Sequence, residues 1–316
     1  MTSLSFPELR AAMFEHYNAG QYAEALALVN RHAPHLPQYR SHTLIWQVCL
    51  QAVSGQAEAA LRTLQEGLDQ GLWYAPSALR GDSDLAGLQG HPEFERMVAH
   101  CTEHYEEASR RARPGLTVIE PEQAQPPYPL LIALHGRGSS MAEAAETWNT
   151  LADHGWLVAL PQSSQLIGQE AYTWDDPRQA EAELAQHLEQ LHREHTFDPQ
   201  RVVLAGFSQG AGLAISLVIQ GLIPAAGFIA VAPYLREVDA LLEQPAEPPA
   251  HPPYGVIITG AYDPEQEMFE KIERLLQQRR LPYRRIDYED LAHDYPPDFL
   301  ALRQESLEII LKTRQA

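Results

Sequence analysis

The spacing of apolar residues changes at about residue 113, and this change restricts the possible fold more than any other feature of the chain. From Phe6 to about Arg113 the apolar positions recur at helical intervals, as in Tyr22, Leu26 and Val29 or Leu61, Leu64 and Leu68, and no alternating stretch interrupts them. Residues 1–113 are therefore expected to form an all-helical domain. After Arg113-Pro-Gly, short apolar runs alternate with helix-like segments, the pattern of a mostly parallel, doubly wound sheet with helices on both faces. The runs predict strands at Leu116–Ile119, Leu130–Leu134, Leu157–Leu160, Val202–Ala205, Phe228–Val231, Val256–Thr259 and Arg285–Tyr288. Helices are expected at Ala142–Asp153, Arg178–His195, Gly210–Gln220, Glu265–Gln278 and Pro297–Lys312. Residues 114–316 thus read as an α/β catalytic domain, and 316 residues suffice for two domains.

Within the helical part, Gly20-Gln-Tyr-Ala-Glu-Ala-Leu26 recurs as Gly55-Gln-Ala-Glu-Ala-Ala-Leu61. A period near 35 residues marks stacked helical hairpins, with Ala25 and Ala60 at the close helix contacts. This segment resembles the tetratricopeptide repeat, although two copies are visible and the full consensus is absent. A turn-rich stretch from Ala75 to His91 precedes a last helix running towards Arg113.

With 23 basic against 42 acidic residues the formal charge is -19, and the excess lies mainly after residue 113, where 29 acidic residues face 14 basic ones. Such a surface repels phosphate backbones and anionic lipid, which argues against nucleic acid as a partner. Cys49 and Cys101 both fall in helix-like stretches and are expected as buried, reduced thiols rather than a disulfide framework. The N-terminal residues lack a basic start followed by an apolar run, and no run of about 18 apolar residues occurs. A cytoplasmic protein without a membrane span is expected.

Chemistry concentrates in Gly206-Phe-Ser208-Gln-Gly210, which follows the buried run Val202–Ala205 and opens a helix rich in small residues. A strand-turn-helix of Gly-x-Ser-x-Gly type forces its serine into a strained conformation at the sheet's carboxyl edge. Serine needs a base to become nucleophilic, and on this kind of fold the acid and the histidine follow the serine in the chain. Downstream lie only His251, in a proline-rich connection, and His293, in a loop at a strand's end; His293 is the expected base. Asp263, just past the apolar strand Val256–Thr259, is the expected acid, ahead of Asp239, Asp287, Asp290 and Asp294. His135 precedes the serine and reads as structural.

Acyl transfer also requires donors for the developing oxyanion, one from the residue after the nucleophile. That residue is Gln209, and the glycine-rich break after Leu130–His135 offers the N–H of Arg137 as the second. The Arg137 side chain reads as surface-exposed, with recognition of a substrate anion as the alternative. No cofactor is called for: a Cys/His cluster with zinc spacing and a lysine-bearing phosphate loop are both missing from the sequence.

Together, Leu134-His-Gly-Arg-Gly138, Gly206-Phe-Ser-Gln-Gly210, Gly260-Ala-Tyr-Asp263 and Ala292-His-Asp-Tyr-Pro296 resemble the phospholipase/carboxylesterase family of α/β-hydrolases over roughly residues 114–316. The resemblance implies an α/β-hydrolase fold and a serine esterase, with a triad of Ser208, Asp263 and His293, oxyanion donors at Arg137 and Gln209, and an ester of small or medium acyl length as substrate. Ala292 departs from the glycine common before that histidine, and Thr173-Trp174-Asp175-Asp176 matches the family's tryptophan segment only loosely. Trp174 is the candidate wall of the acyl pocket. Lysophospholipase or thioesterase activity would use the same residues. The rival of a different class is an interaction protein, whose helical domain binds a protein partner or a second copy while the hydrolase fold stays idle.

Overall fold

A computed structural model of the protein describes residues 4–245 and 251–315; most of the proline-rich connection, residues 246–250, and the first three residues lie outside it. The chain separates into two compact units, Met1–Ala112 with Leu166–Ala171, and Arg113–Gln165 with Tyr172–Ala316. None of the helices described is long and apolar enough to cross a membrane.

The first unit contains α1 (Phe6–Asn18), α2 (Tyr22–His32), α3 (Arg40–Val53), α4 (Ala57–Asp69), α5 (Pro76–Gly81) and α6 (Pro92–Arg111). Helix α1 opens with a capping box: Ser5 accepts from the Glu8 N–H, and the Glu8 carboxylate accepts from the Ser5 N–H at 2.8 Å. The turns that join α1 to α2 and α3 to α4 close identically. Gly20 N–H donates to Tyr17 O (2.9 Å) and Gln21 N–H to His16 O (2.8 Å); 35 residues on, Gly55 N–H donates to Ala52 O (3.0 Å) and Gln56 N–H to Gln51 O (2.8 Å). Both are Schellman closures with glycine in the left-handed region. Ala25 and Ala60 are fully buried, so α1, α2, α3 and α4 pack in succession with little between their backbones. Cys49 and Cys101 are buried free thiols. The segment Leu166–Ala171 joins this unit through Ala75 N–H donating to Ile167 O (2.7 Å) and a small cluster of Ala75, Ile167 and Ala171.

In the remainder of the chain the elements run β1 (Gly115–Ile119), β2 (Tyr128–Leu134), α7 (Met141–Trp148), β3 (Leu157–Gln162), β4 (Leu166–Gly168), β5 (Ala171–Tyr172), α8 (Pro177–Glu194), β6 (Phe197–Phe207) and α9 (Gln209–Ile219). They continue with β7 (Gly227–Val231), α10 (Val238–Glu243), β8 (Tyr254–Gly260), α11 (Gln266–Gln278), β9 (Tyr283–Tyr288) and α12 (Phe299–Gln315). Seven strands form one sheet in the order β1-β3-β2-β6-β7-β8-β9, with β1 antiparallel to β3 and every other pairing parallel; β4 and β5 form a separate ribbon. This is the α/β-hydrolase fold, with a mostly parallel central sheet and an all-helical N-terminal region, as the sequence indicates.

Alternate residues of the central strands feed two apolar layers, because successive side chains point to opposite faces. Leu130, Ile132, Leu204, Phe228 and Ile257 face one layer with α8, α9 and α11, while Leu131, Ala133, Val203, Ile229 and Ile258 face the other with α7 and α12. Phe228 is completely buried, and its truncation to alanine costs about 3–5 kcal/mol. Helix α9 is buried over most of its surface, which fixes it rigidly behind the residue that precedes it, Ser208.

Candidate active site

The strand β6 is paired on both sides as far as its last residues, Gly206 with Leu134 of β2 and Phe207 with Val231 of β7. At Ser208 the chain turns abruptly into α9, with φ 52° and ψ -119°, a conformation that costs a non-glycine residue about 1–3 kcal/mol. Bonds from Ser208 N–H to Val231 O (2.9 Å), and to Ser208 O from Gly212 N–H and Tyr234 N–H (3.0 Å each), hold the turn. The flanking glycines permit it: a Cβ on Gly206 would stand 2.5 Å from the Gly210 carbonyl carbon, and one on Gly210 would stand 2.4 Å from His135 O.

The sheet brings Ser208, Asp263 and His293 together. His293 Nε2 lies 2.9 Å from Ser208 Oγ, and His293 Nδ1 lies 2.8 Å from Asp263 Oδ2. The three residues follow the carboxyl ends of β6, β8 and β9, and the loop after β9 crosses the end of β8 where a Cβ on Gly260 would meet Leu291 O at 2.0 Å. Asp263 is fully buried at its side chain, and its second oxygen accepts from the Glu265 N–H (2.9 Å), so the carboxylate both caps the turn and faces the imidazole. The His293 ring is backed by Phe207 at a centroid distance of 5.0 Å. Burial pushes the Glu265 carboxyl up, His293 opposing and Asp263 adding to the effect.

Of the other downstream candidates, Asp290 is exposed. Asp239 pairs with Lys271 (3.0 Å), Asp287 accepts from Thr259 and Arg285, and Asp294 accepts from the Tyr295 N–H, while His251 is exposed.

On the β2 side the arrangement rests on main-chain groups. Gln209 is the first residue of α9, where N–H groups have no intrahelical acceptor, and Arg137 lies in the turn after β2; among the described residues neither N–H donates to another main-chain group. Buried side chains brace them. Gln209 Oε1 accepts from Trp174 N–H (2.9 Å) and Thr173 Oγ (3.0 Å), and its Nε2 donates to Asp175 Oδ1 (2.9 Å). Trp174 is itself buried, 4% exposed, with its indole N–H donated to His135 O (3.0 Å) and its ring stacked on the His135 ring.

His135 Nδ1 stands 2.9 Å from Gly136 O, and Ser163 N–H donates to His135 Nε2 at 3.4 Å. One nitrogen donating and the other accepting defines a neutral ring, and complete burial pushes its pKa down to about 4, the Gly136 bond opposing. Burial raises the Asp175 carboxyl, but the Arg137 guanidinium and the hydrogen bond from Gln209 outweigh it and leave that carboxyl below its ordinary value. His135 works here as the structural residue that the sequence suggested, while the support given by the Gln209 and Asp175 side chains was not signalled: their partners lie 34 to 61 positions away, without any periodic pattern.

Comparison with known proteins bears on both parts of the chain. Residues 6–109 match a family model described as the A/B hydrolase-like N-terminal domain, and residues 131–309, more than half of the chain, match the model of the alpha/beta hydrolase family. An uncharacterized protein from Bacillus cereus ATCC 10987 is 26% identical and similar in structure (TM-score 0.52) over 97% of this chain and 99% of its own. Esterase PE8 (19% identical, TM-score 0.52, 63% of this chain and 99% of that one) and a Bacillus cereus carboxylesterase (18%, 0.51, 65% and 99%) share the fold. A bifunctional acetylxylan esterase/xylanase of Neocallimastix patriciarum is 33% identical over 97 residues, a match that spans 29% of this chain and 14% of that protein.

Proposed function

The chain belongs to the alpha/beta hydrolase family, and from that premise we propose that it is a serine carboxylic-ester hydrolase with Ser208 as nucleophile, His293 as base and Asp263 as orienting acid. The observation that carries the reading is the unbroken relay from Ser208 Oγ to His293 Nε2 (2.9 Å) and from His293 Nδ1 to Asp263 Oδ2 (2.8 Å) at a strained elbow. The esterase activity of the similar proteins named above, PE8 and the carboxylesterase, supports the choice of substrate class.

His293 takes the Ser208 hydroxyl proton as Oγ bonds to the ester carbonyl carbon, and the N–H groups of Arg137 and Gln209 receive the resulting oxyanion. Collapse of this intermediate breaks the bond to the alcohol oxygen, to which His293 returns the proton. Water then repeats the sequence on the acyl-enzyme and releases the acid. Asp263 holds the imidazole with Nε2 towards Ser208 and faces the cation that forms. Trp174 is the proposed wall of the acyl pocket, and its bonds to Gln209 Oε1 and His135 O also brace the residues that flank the oxyanion donors. The acyl group is small or medium, and the protein acts in the cytoplasm. The helical unit, on the strength of turns that recur after 35 residues, is a tetratricopeptide-like scaffold for a protein partner or for self-association.

The test is hydrolysis of 4-nitrophenyl esters of graded acyl length by the parent and by Ser208→Ala, both shown to be folded by circular dichroism. The parent turns them over, and the variant loses at least about a thousandfold in kcat. Equal rates in the two proteins, or no turnover by the parent, would remove the proposal and favour the interaction protein.

A further inference from the structure

Two guanidinium groups converge on one carboxylate at the carboxyl edge of the sheet. Asp175 Oδ1 is met by Arg236 Nη2 at 2.7 Å, and Arg137 approaches with Nε and Nη2 at 3.4 Å each. Arg236 Nη1 also donates to the Asp175 main-chain oxygen at 3.1 Å. Arg137 follows β2, Arg236 follows β7, and these are the two strands paired with β6, so an arginine stands on either side of the strand that carries Ser208. The link to Ser208 is short: Asp175 accepts from Gln209, the next residue in the chain.

The cluster holds two positive charges and one negative, in a chain whose formal charge is -19. The neighbouring Asp176 turns its carboxylate to the start of α8, accepting from the N–H groups of Arg178 and Gln179, while the ion pairs of both arginines are with Asp175. One arginine would suffice to pair Asp175, and Arg236 does so at the length of a charge-assisted hydrogen bond. The Arg137 contacts are longer than such bonds, and both guanidinium groups remain close to half exposed, at 46% and 48%. Ion pairs with that exposure contribute little to stability, about 0–1 kcal/mol. The second arginine is thus better placed for an incoming anion than for folding. A guanidinium also presents its donors as a planar fork that matches a carboxylate.

We propose that Arg137 and Arg236 form a subsite for a carboxylate, so that the substrate is an ester carrying a carboxylate within a side chain's reach of the scissile bond. This rests on the esterase reading, since the Arg137 N–H is there an oxyanion donor and its guanidinium stands one side chain away from the reacting carbonyl.

The charge can belong to the acyl group or to the alcohol, and two pairs of esters separate these cases. Mono-4-nitrophenyl adipate is compared with 4-nitrophenyl hexanoate, and 4-carboxyphenyl butyrate with 4-carbamoylphenyl butyrate, using the full-length parent and the double variant Arg137→Gln/Arg236→Gln. In the parent, one anionic ester exceeds its neutral counterpart by about tenfold in kcat/KM, the effect of one charge-assisted hydrogen bond, and the double variant loses that preference. Both neutral esters being preferred by the parent, or a preference unchanged in the double variant, would overturn the subsite. Neutral esters turned over by the parent and spared by Ser208→Ala establish the esterase separately. If no ester is turned over, calorimetric titration with adipate reads the subsite directly: binding by the parent that the double variant lacks supports it, and equal or absent binding in both sinks it.

Discussion

The two flanks of Ser208 are built from different materials. Towards β8 and β9 the proposed working atoms are side-chain atoms, those of His293 and Asp263, each within 3 Å of its partner, as given by separations of 2.9 and 2.8 Å. Towards β2 the proposed working atoms are main-chain N–H groups, and the side chains nearby serve to fix them. His135 bonds the Gly136 carbonyl, which belongs to the same peptide plane as the Arg137 N–H, and Trp174 holds His135 by stacking and by a bond to its carbonyl. Chemistry carried by side chains is read from residue type, whereas chemistry carried by the backbone depends on a buried polar network.

The sharpest break in the comparison comes from the first flank. His293→Ala removes the proposed base and is expected to lower kcat by about a hundred-thousandfold with little change in KM, measured by steady-state kinetics on a 4-nitrophenyl ester. Asp263→Asn leaves the imidazole in place without its orienting charge, and the expected loss is smaller, about ten-thousandfold in kcat. On the second flank no single side chain takes part in the chemistry, so the effects are milder. Trp174→Phe keeps the ring on His135 and deletes the indole donor; kcat is expected to fall about tenfold, less than the loss of an oxyanion donor itself. A Trp174 effect as large as that of His293 would erase the distinction between the flanks.

The contribution of His135 is read in stability rather than in rate. Its folded pKa of about 4 lies below the usual value of 6.5, so between these values the unfolded chain takes up a proton that the folded protein refuses. Stability therefore falls as the pH drops from 6.5 towards 4. His135→Asn should flatten this dependence by about 1.4 kcal/mol per pH unit, the worth of one proton, in urea titrations run across that range.

Much of the first flank was legible in the sequence. The Gly-x-Ser-x-Gly between an apolar run and a small-residue helix located Ser208, and chain order singled out the two downstream positions that the sheet brings beside it. The seven sheet strands were also visible: β2, β3, β6, β7 and β8 are buried on both faces and read as continuous apolar runs, and the half-buried edge strands β1 and β9 as shorter, mixed ones, although β6 starts at Phe197 through polar residues that carry no such signal. Short elements escaped: α5 and α10 have six residues each, too few to complete two helical turns, and β4 with β5 covers only five. The helix expected at Ala142–Asp153 stops at Trp148 and tightens into a 3-10 turn through His154. Least legible was the network around Asp175, whose arginines lie 38 and 61 positions away and meet it only because β2 and β7 flank β6.

Covalent trapping tests the central claim most directly. Incubating the full-length protein with diisopropyl fluorophosphate and mapping the adduct by peptide mass spectrometry should place one phosphoryl group on Ser208, formed far more slowly in His293→Ala. An adduct on another residue, or labelling that is unchanged in Ser208→Ala, would contradict the assignment of Ser208 as the nucleophile.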